Sequence, residues 1–175
     1  MSHRVRRLDP VDRLEWISFV ADIPRGEERF FKEDLTDLDK VDIWSEDPGW
    51  LVALENRQIA GVISVLPGRG WSSHVAELRL VVRESQRGKG IGRELAHQGL
   101  VTAIELGCTH VYVEVVAEQE PLILMFRSMG FQPEAILEDF VRDGAGEPHD
   151  LMLLTHRAPE NWSALAGIGL GEADE

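Results

Sequence analysis

Four cations and three glycines are concentrated in residues 83–93, where an apolar stretch gives way to a helical pattern. The chain around them is acidic, with a net charge of −13. Glycine tolerates positive φ and lets a ligand come close to the backbone. The first turn of a helix presents unpaired N–H groups and the positive end of its dipole to an anion. This cluster is therefore predicted to bind an anionic, phosphate-bearing ligand.

Two common phosphate-binding motifs do not fit the cluster. A Walker A loop needs G-x-x-x-x-G-K-[ST], which no glycine of the chain satisfies. The dinucleotide fingerprint G-x-G-x-x-G fails because Arg93 stands where its third glycine belongs. The pattern present over residues 87–92 is R-x-x-G-x-G, between a predicted strand and a predicted helix.

That pattern resembles the acetyl-CoA loop of the GNAT acyltransferase superfamily, and the resemblance extends by element order over residues 50–157. It implies acetyl-CoA as the acyl donor and no metal. The loop amides would hold the pyrophosphate, and the cationic side chains would add charge. The residues to which the resemblance assigns this role are Arg87, Gly88, Lys89, Gly90, Ile91, Gly92 and Arg93.

Two flanking elements receive roles from the same resemblance. Leu80, Val81 and Val82 end the preceding strand, where the backbone pairs with the pantetheine arm and a bulge directs an N–H at the thioester. In the helix after the next strand, Gln119 and Phe126 stand at the family's asparagine and tyrosine positions. Phenylalanine cannot donate a proton, so the sequence leaves open what protonates the departing thiolate.

Two glutamates lie inside predicted strands and are the candidate general bases, since an ammonium acceptor must lose a proton before it attacks. Glu77 lies in "AELRLVV" and Glu114 in "VYVEVV". The resemblance matches Glu77 to the base of histone-type enzymes and Glu114 to that of ribosomal-protein types. Neighbouring carboxylates raise each other's pKa, which would suit a base that works near neutral pH.

A purely structural role is the alternative for each glutamate. Glu77 and Arg79 share one strand face and could pair with each other. Glu114 could pair with a surface lysine or arginine. The sequence does not decide between these roles.

The elements that must position these residues form a mixed α/β sheet, mostly antiparallel and flanked by helices, with one splayed parallel pair. A first helix is expected to begin at Asp9-Pro10 and to end before Pro24. Its apolar stripe would be Val11, Leu14, Ile17 and Val20. A second helical stretch is predicted at residues 27–44. Hairpins are predicted around Asn56-Arg57 and at residues 135–156.

Composition narrows the function classes. No apolar run reaches the roughly 20 residues of a membrane helix, no secretory signal is recognisable, and an acidic surface disfavours nucleic acid. The single Cys108 excludes an internal disulfide, and the six histidines show no metal-binding spacing. A cytoplasmic location is expected.

Residues 1–157 are predicted to form one domain and 158–175 an acidic tail. A homodimer through a sheet edge or the tail residues Trp162, Leu165 and Ile168 stays open.

The leading functional hypothesis is an acetyl-CoA-dependent N-acetyltransferase that acts by direct transfer to a primary amine of a small molecule or peptide. A non-catalytic acyl-CoA-binding module is the alternative, and a mononucleotide-binding domain is a more distant one. The fold does not identify the acceptor. Residues 22–50 and the loop 67–74 are expected to shape its pocket.

Overall fold

The computed structural model describes residues 4–24 and 32–158. They form seven strands and four α-helices. In chain order these are β1 (Arg4–Arg7), α1 (Arg13–Ala21), α2 (Asp39–Glu46), β2 (Trp50–Glu55), β3 (Gln58–Pro67), β4 (Val75–Val82), α3 (Ile91–Glu105), β5 (His110–Val116), α4 (Glu120–Ser128), β6 (Gln132–Arg142) and β7 (Pro148–Arg157). Short 3₁₀ turns precede α1, β4 and α3.

The strands form one mixed sheet in the order β1-β2-β3-β4-β5-β7-β6. Every neighbouring pair is antiparallel except β4 and β5, which are parallel and joined by α3. The predicted fold class is therefore confirmed. The hairpin turn at Asn56-Arg57 is also confirmed, since both residues have positive φ as a two-residue I′ turn requires.

The parallel pair separates halfway along its length. Pairing between β4 and β5 ends at Leu78↔Val113. Beyond that point β4 stays paired with β3 as far as Val82, and β5 stays paired with β7 as far as Val116. The two strands thus diverge and leave an opening between their C-terminal halves, as the sequence analysis predicted.

The predicted bulge in β4 is absent. The β3·β4 register runs without a shift from Pro67↔Ala76 to Gly61↔Val82. The opening forms because each strand keeps its outer partner while the central pairing stops, so no extra residue is needed in β4. A register shift occurs instead in the β2·β3 pair, at Ala53/Leu54.

The sheet buries a hydrophobic core on each face. One core lies under α3 and α4 and includes Leu95, Leu100, Phe126 and Phe131. The other lies under α1 and α2 and is centred on Trp16, Trp44 and Trp50, whose rings contact one another.

The predicted apolar stripe of α1 was wrong. Leu14 is 80% exposed, whereas Trp16 and Phe19 are fully buried. Both faces of this helix carry apolar side chains, so periodicity alone did not identify the inward one. The larger aromatic side chains bury more area against the sheet, and they determine which face packs.

Replacing Trp16 with alanine is expected to lower the free energy of unfolding by about 3–5 kcal/mol, because a large buried ring would be removed. The matched change Leu14→Ala on the exposed face should alter it by less than about 0.5 kcal/mol. Urea unfolding followed by circular dichroism measures both. Equal losses for the two variants would contradict this assignment of the helix faces.

Other sequence predictions need correction. The N-terminal strand β1 was not predicted, although it pairs with β2 along Arg4–Arg7. The second helix begins only at Asp39, because the side chains of Asp34 and Asp37 accept hydrogen bonds from the backbone N–H groups of Thr36 and Asp39. Such Asx turns compete with helix formation.

Some predictions concern residues outside the described ranges. These are the start of the second helical stretch and the tail with Trp162, Leu165 and Ile168. Within residues 4–24 and 32–158, no helix is both long and apolar enough to cross a bilayer.

Candidate active site

The glycine-rich loop has the backbone conformation that its sequence predicts. Gly88 and Gly90 have φ of +76° and +86°, in the left-handed region that favours glycine. A Cβ added at either position would meet no described atom within 4 Å. The loop therefore presents open backbone, accessible to a ligand, directly before α3.

The backbone N–H groups at the start of α3 have no hydrogen-bond acceptor within the helix. The first hydrogen bond of the helix runs from the Glu94 N–H to the Gly90 carbonyl, at 3.0 Å. The N–H groups of Ile91, Gly92 and Arg93 precede this bond and have no carbonyl one turn back. Gly90 itself caps the helix without a side-chain hydrogen bond. These N–H groups can donate hydrogen bonds to the oxygens of an anion.

The cationic side chains of the loop also make contacts within the protein. The Arg87 Nε donates to the Val82 carbonyl at 3.2 Å, and the Lys89 Nζ donates to Gln86 at 2.6 Å. The Arg93 guanidinium donates to the Ser128 hydroxyl at 3.0 Å and so links the start of α3 to α4. The loop cations are therefore positioned by the protein itself.

The end of β4 supplies backbone groups to the opening. The Arg83 N–H donates to the Ala60 carbonyl on β3. Because backbone groups alternate in direction along a strand, those of Leu80 and Val82 point away from β3, toward the opening. Val81 points its backbone at β3 and buries its side chain in the core under α1 and α2. The Leu80 backbone and the Val82 N–H are thus directed at the space that a ligand between β4 and β5 would occupy, while the Val82 carbonyl accepts from Arg87 Nε.

Helix α4 borders the loop through Met125, whose sulfur would lie 3.8 Å from a Cβ at Gly92. Gln119 is the N-cap of this helix, and its carbonyl accepts the N–H of Leu122. Phe126 is only 2% exposed and packs edge-on against Phe131, with ring centroids 5.1 Å apart. At the position that the resemblance matches to the family's tyrosine, Phe126 therefore contributes an apolar ring and no proton donor.

Glu77 is the most heavily bonded carboxylate of the site. It is 7% exposed and receives both Nε and Nη2 of Arg79, at 2.9 and 2.8 Å. Lys32 Nζ lies 3.0 Å from its Oε1, and the Tyr112 hydroxyl donates to its Oε2 at 3.2 Å. The Arg79 guanidinium also bonds both oxygens of Glu33. The anticipated Glu77–Arg79 pair is thus confirmed.

The expected rise in the pKa of Glu77 was wrong. Burial of the carboxylate favours a higher pKa, but the hydrogen bonds and charges of Arg79 and Lys32 outweigh it and lower the pKa. The sequence argument considered only the repulsion between two carboxylates. The pair with Arg79 was anticipated only as a structural alternative, and the second cation, Lys32, could not be foreseen from its position 45 residues before Glu77.

Replacing Glu77 with glutamine is expected to cost about 1–3 kcal/mol of stability at pH 7, because charge-assisted hydrogen bonds would be weakened. A lowered folded-state pKa stabilises the protein above the unfolded-state pKa, and this stabilisation is lost as pH falls through the lowered value. The difference between wild type and variant should therefore shrink below about pH 4. Urea unfolding at several pH values measures it, and a difference constant down to about pH 2 would contradict the lowered pKa.

Glu114 has a different environment. It is the first residue of β5 beyond the last pair with β4, so it lies where the two strands begin to diverge. Lys32 Nζ lies 3.2 Å from each of its carboxylate oxygens. The anticipated contact between Glu114 and a surface cation is thus confirmed, and Lys32 bridges the two candidate bases.

Tyr112 separates two adjoining cavities on the sheet face that carries Glu77. One, of about 320 Å³, is lined by Glu77 and by Pro67, Gly68 and Ser72 of the loop 67–74. The other, of about 420 Å³, is lined by residues that include Glu134, Thr155 and Arg157. Burial and the nearby Glu77 charge raise the pKa of Tyr112 to about 12, so its hydroxyl stays protonated at neutral pH.

Sequence reasoning missed Lys32 and Glu33, which lie more than 40 positions before Glu77. Their contacts join residues distant in sequence, and no motif or periodicity marks them. Within the described ranges, no group of three or more histidine, cysteine, aspartate or glutamate side chains could hold a metal ion.

Comparison with known proteins identifies the family. The model of the acetyltransferase (GNAT) family matches residues 11–131, which is more than half of the chain. The chain belongs to this family. The matched segment includes the glycine-rich loop, both strand glutamates and Phe126.

Individual proteins support the same family. The chain is 30% identical over 104 residues to N-acetyltransferase 8F1 of Rattus norvegicus, a match that covers 58% of this chain and 47% of that protein. The chain thus spans about half the length of the curated relatives it matches.

Solved structures share the fold. The ribosomal-protein-alanine N-acetyltransferase of Brucella melitensis is 25% identical, with a TM-score of 0.74 over 88% of this chain and 99% of that one. A phosphinothricin acetyltransferase from Sinorhizobium meliloti, solved in complex with acetyl-CoA, is 17% identical. Its TM-score is 0.77 over 93% and 92% of the two chains.

Proposed function

We propose that the protein transfers an acetyl group from acetyl-CoA to a primary amine of a small molecule or peptide, by direct attack in a ternary complex. The observation that carries this proposal is the arrangement of two positive-φ glycines at the mouth of the β4·β5 opening, with Glu114 at its apex. Membership of the GNAT family supports it, as does the acetyl-CoA bound by the Sinorhizobium structure.

The loop fits the pyrophosphate of coenzyme A. The space beside Gly88 and Gly90 is open, and the amides of residues 91–93 lack helical partners. Arg87, Lys89 and Arg93 add positive charge to a chain whose net charge is −13. An anion bound there would be stabilised by hydrogen bonds, by the positive end of the helix dipole and by the side-chain charges together.

The opening fits the pantetheine arm and thioester. The backbone groups of Leu80 and Val82 are directed into it, and a strand-like ligand could pair with them. A Leu80 N–H directed at the thioester oxygen would stabilise negative charge as the amine attacks. Acetyl-CoA supplies the activated acetyl group.

Glu114 is the better candidate for the general base. Glu77 is nearly buried and is bonded by Arg79, Lys32 and Tyr112, so its lone pairs are largely used and its pKa is lowered. Glu114 borders the opening and contacts Lys32. We assign to Glu114 the role of accepting the proton. Glu77 is assigned the role of positioning Arg79 and Lys32.

The leaving thiolate cannot be protonated by a tyrosine at the family's position, because this chain has Phe126 there. Phe126 packs in the core and carries no acidic hydrogen. Tyr112 is bonded to Glu77, on the sheet face away from the core that holds Phe126. A free thiol has a pKa of about 8.5, so the sulfur can leave as a thiolate or take a proton from water.

An amine acceptor fits the cavities beside Tyr112. Glu77 and Glu134 line their walls. An ammonium group would be attracted to these carboxylates and to the acidic chain as a whole. Nucleic acid and membrane surfaces are not proposed partners, a cytoplasmic location remains our proposal, and a homodimer remains an open prediction.

Two experiments separate this proposal from its alternatives. Calorimetry with acetyl-CoA, ATP and NAD should detect binding of acetyl-CoA alone, and preference for ATP or NAD would favour a mononucleotide-binding domain. Incubation with acetyl-CoA and a panel of amines should then release free thiol in an amine-dependent way. Tight binding of acetyl-CoA with no thiol release for any amine would favour a non-catalytic binding module.

A further inference from the structure

Lys32 places a primary amine between the two strand glutamates. Its Nζ lies 3.0 Å from Glu77 Oε1 and 3.2 Å from Glu114 Oε2. Its side chain is half exposed, whereas that of Glu77 is almost buried. The nitrogen is therefore held in the candidate active site and is still accessible from outside.

The Lys32 amine lies close to the point where β4 and β5 diverge. Glu114 is the first residue of β5 past the Leu78↔Val113 pair, where β4 and β5 diverge. Lys32 therefore reaches the apex of the opening on the face that carries Glu77 and Tyr112. An amine acceptor that attacks a thioester between the strands must reach the same apex.

The scarcity of lysine makes this placement more specific. The chain has 15 arginines but only three lysines, Lys32, Lys40 and Lys89. Lys40 pairs with Asp37, and Lys89 lies in the glycine-rich loop. An ion pair could be made by arginine as well as by lysine, but a guanidinium stays protonated and is a poor nucleophile.

We propose that Lys32 is an acetylation site modified by the protein's own activity. This inference rests on the proposed function. The Lys32 ammonium gives one proton to Glu114, and its nitrogen forms a bond with the thioester carbonyl carbon. The carbon–sulfur bond breaks, the nitrogen gives up a second proton through water, and this proton converts the departing thiolate to the free thiol of coenzyme A. The products are Nε-acetyl-lysine and coenzyme A, and no other reactant is consumed.

Acetylation would change the site in two ways. It removes the cation that bridges Glu77 and Glu114, and it leaves an acetamide where an amine acceptor must enter. Glu77 would keep the bidentate contact with Arg79. Turnover of an external amine should therefore fall as modification of Lys32 proceeds, while binding of the donor at the loop is retained.

The experiment is incubation of the purified protein with isotope-labelled acetyl-CoA and no added amine, followed by digestion and peptide mass spectrometry. Label should accumulate on Lys32 at a first-order rate that does not depend on protein concentration. Lys32→Arg should remove the label, whereas the control Lys40→Arg should retain it. Glu114→Gln should slow labelling at least tenfold.

Three results would overturn the proposal. Similar labelling of Lys32, Lys40 and Lys89 that persists in Glu114→Gln would mean simple chemical acetylation. A protein that acetylates external amines but leaves Lys32 unlabelled would refute self-modification alone, and Lys32 would then be only an ion-pair partner. A protein that does not bind acetyl-CoA would refute the proposed function as well.

Discussion

Replacing Glu114 with glutamine is expected to lower kcat about 100-fold or more and to leave the affinity for acetyl-CoA unchanged. Glutamine keeps the size of the side chain but cannot accept the proton of the attacking ammonium. The donor is proposed to bind at the loop and β4, which this change does not touch. Initial rates of thiol release at saturating amine, with calorimetry of the donor, measure both quantities.

Glu118→Gln is the matched control. Glu118 is a nearby exposed carboxylate that contacts His149, and its loss should change kcat less than about twofold. Glu77→Gln should act mainly by lowering stability, and it should lower kcat less than Glu114→Gln does. If Glu77→Gln abolishes turnover while Glu114→Gln is active, the assignment of the base must be reversed. If both variants keep full activity, the amine arrives deprotonated or loses its proton to water.

Replacing Gly90 with valine is expected to raise the Kd for acetyl-CoA at least tenfold, about 1.4 kcal/mol. Gly90 has φ +86°, which a β-branched residue adopts only under strain. A side chain there would also enter the open space that the ligand is expected to fill. Calorimetric titration measures the affinity, which should also weaken with added salt because the ligand is a polyanion.

Gly107 provides a matched control for strain. It has the same φ of +86°, and a Cβ added to it also meets no described atom within 4 Å. It lies at the opposite end of α3. Gly107→Val should therefore lose stability as Gly90→Val does but should bind acetyl-CoA normally. Equal loss of affinity in both variants would show that the effect is general destabilisation, and the loop assignment would fail.

The glycine-rich loop and the helix after it could be predicted because local sequence encodes them. Gly88 and Gly90 specify positive φ, and the apolar residues from Ile91 onward specify the helix. The alternation of buried valines in β5 likewise encodes a strand with one core face. The resemblance to the GNAT family then supplied the mixed, mostly antiparallel sheet with one splayed parallel pair, whereas the order of the seven strands was not predicted.

The interior of the site could not be predicted in the same way. The contacts of Lys32 with Glu77 and Glu114 join segments distant in sequence, and no spacing rule connects them. The inward face of α1 was also missed, because Leu14 and Trp16 both fit an amphipathic helix. In each case the result depends on which groups the tertiary fold brings together.

The most direct test of the proposed function is the stoichiometry of acetyl transfer. The protein is incubated with isotope-labelled acetyl-CoA and an amine acceptor found in the panel, and free coenzyme A and N-acetylated amine are both quantified by mass spectrometry. We predict that the two products form in a one-to-one ratio after subtraction of any label measured on the protein itself. Release of coenzyme A with labelled acetate in place of acetylated amine would contradict it.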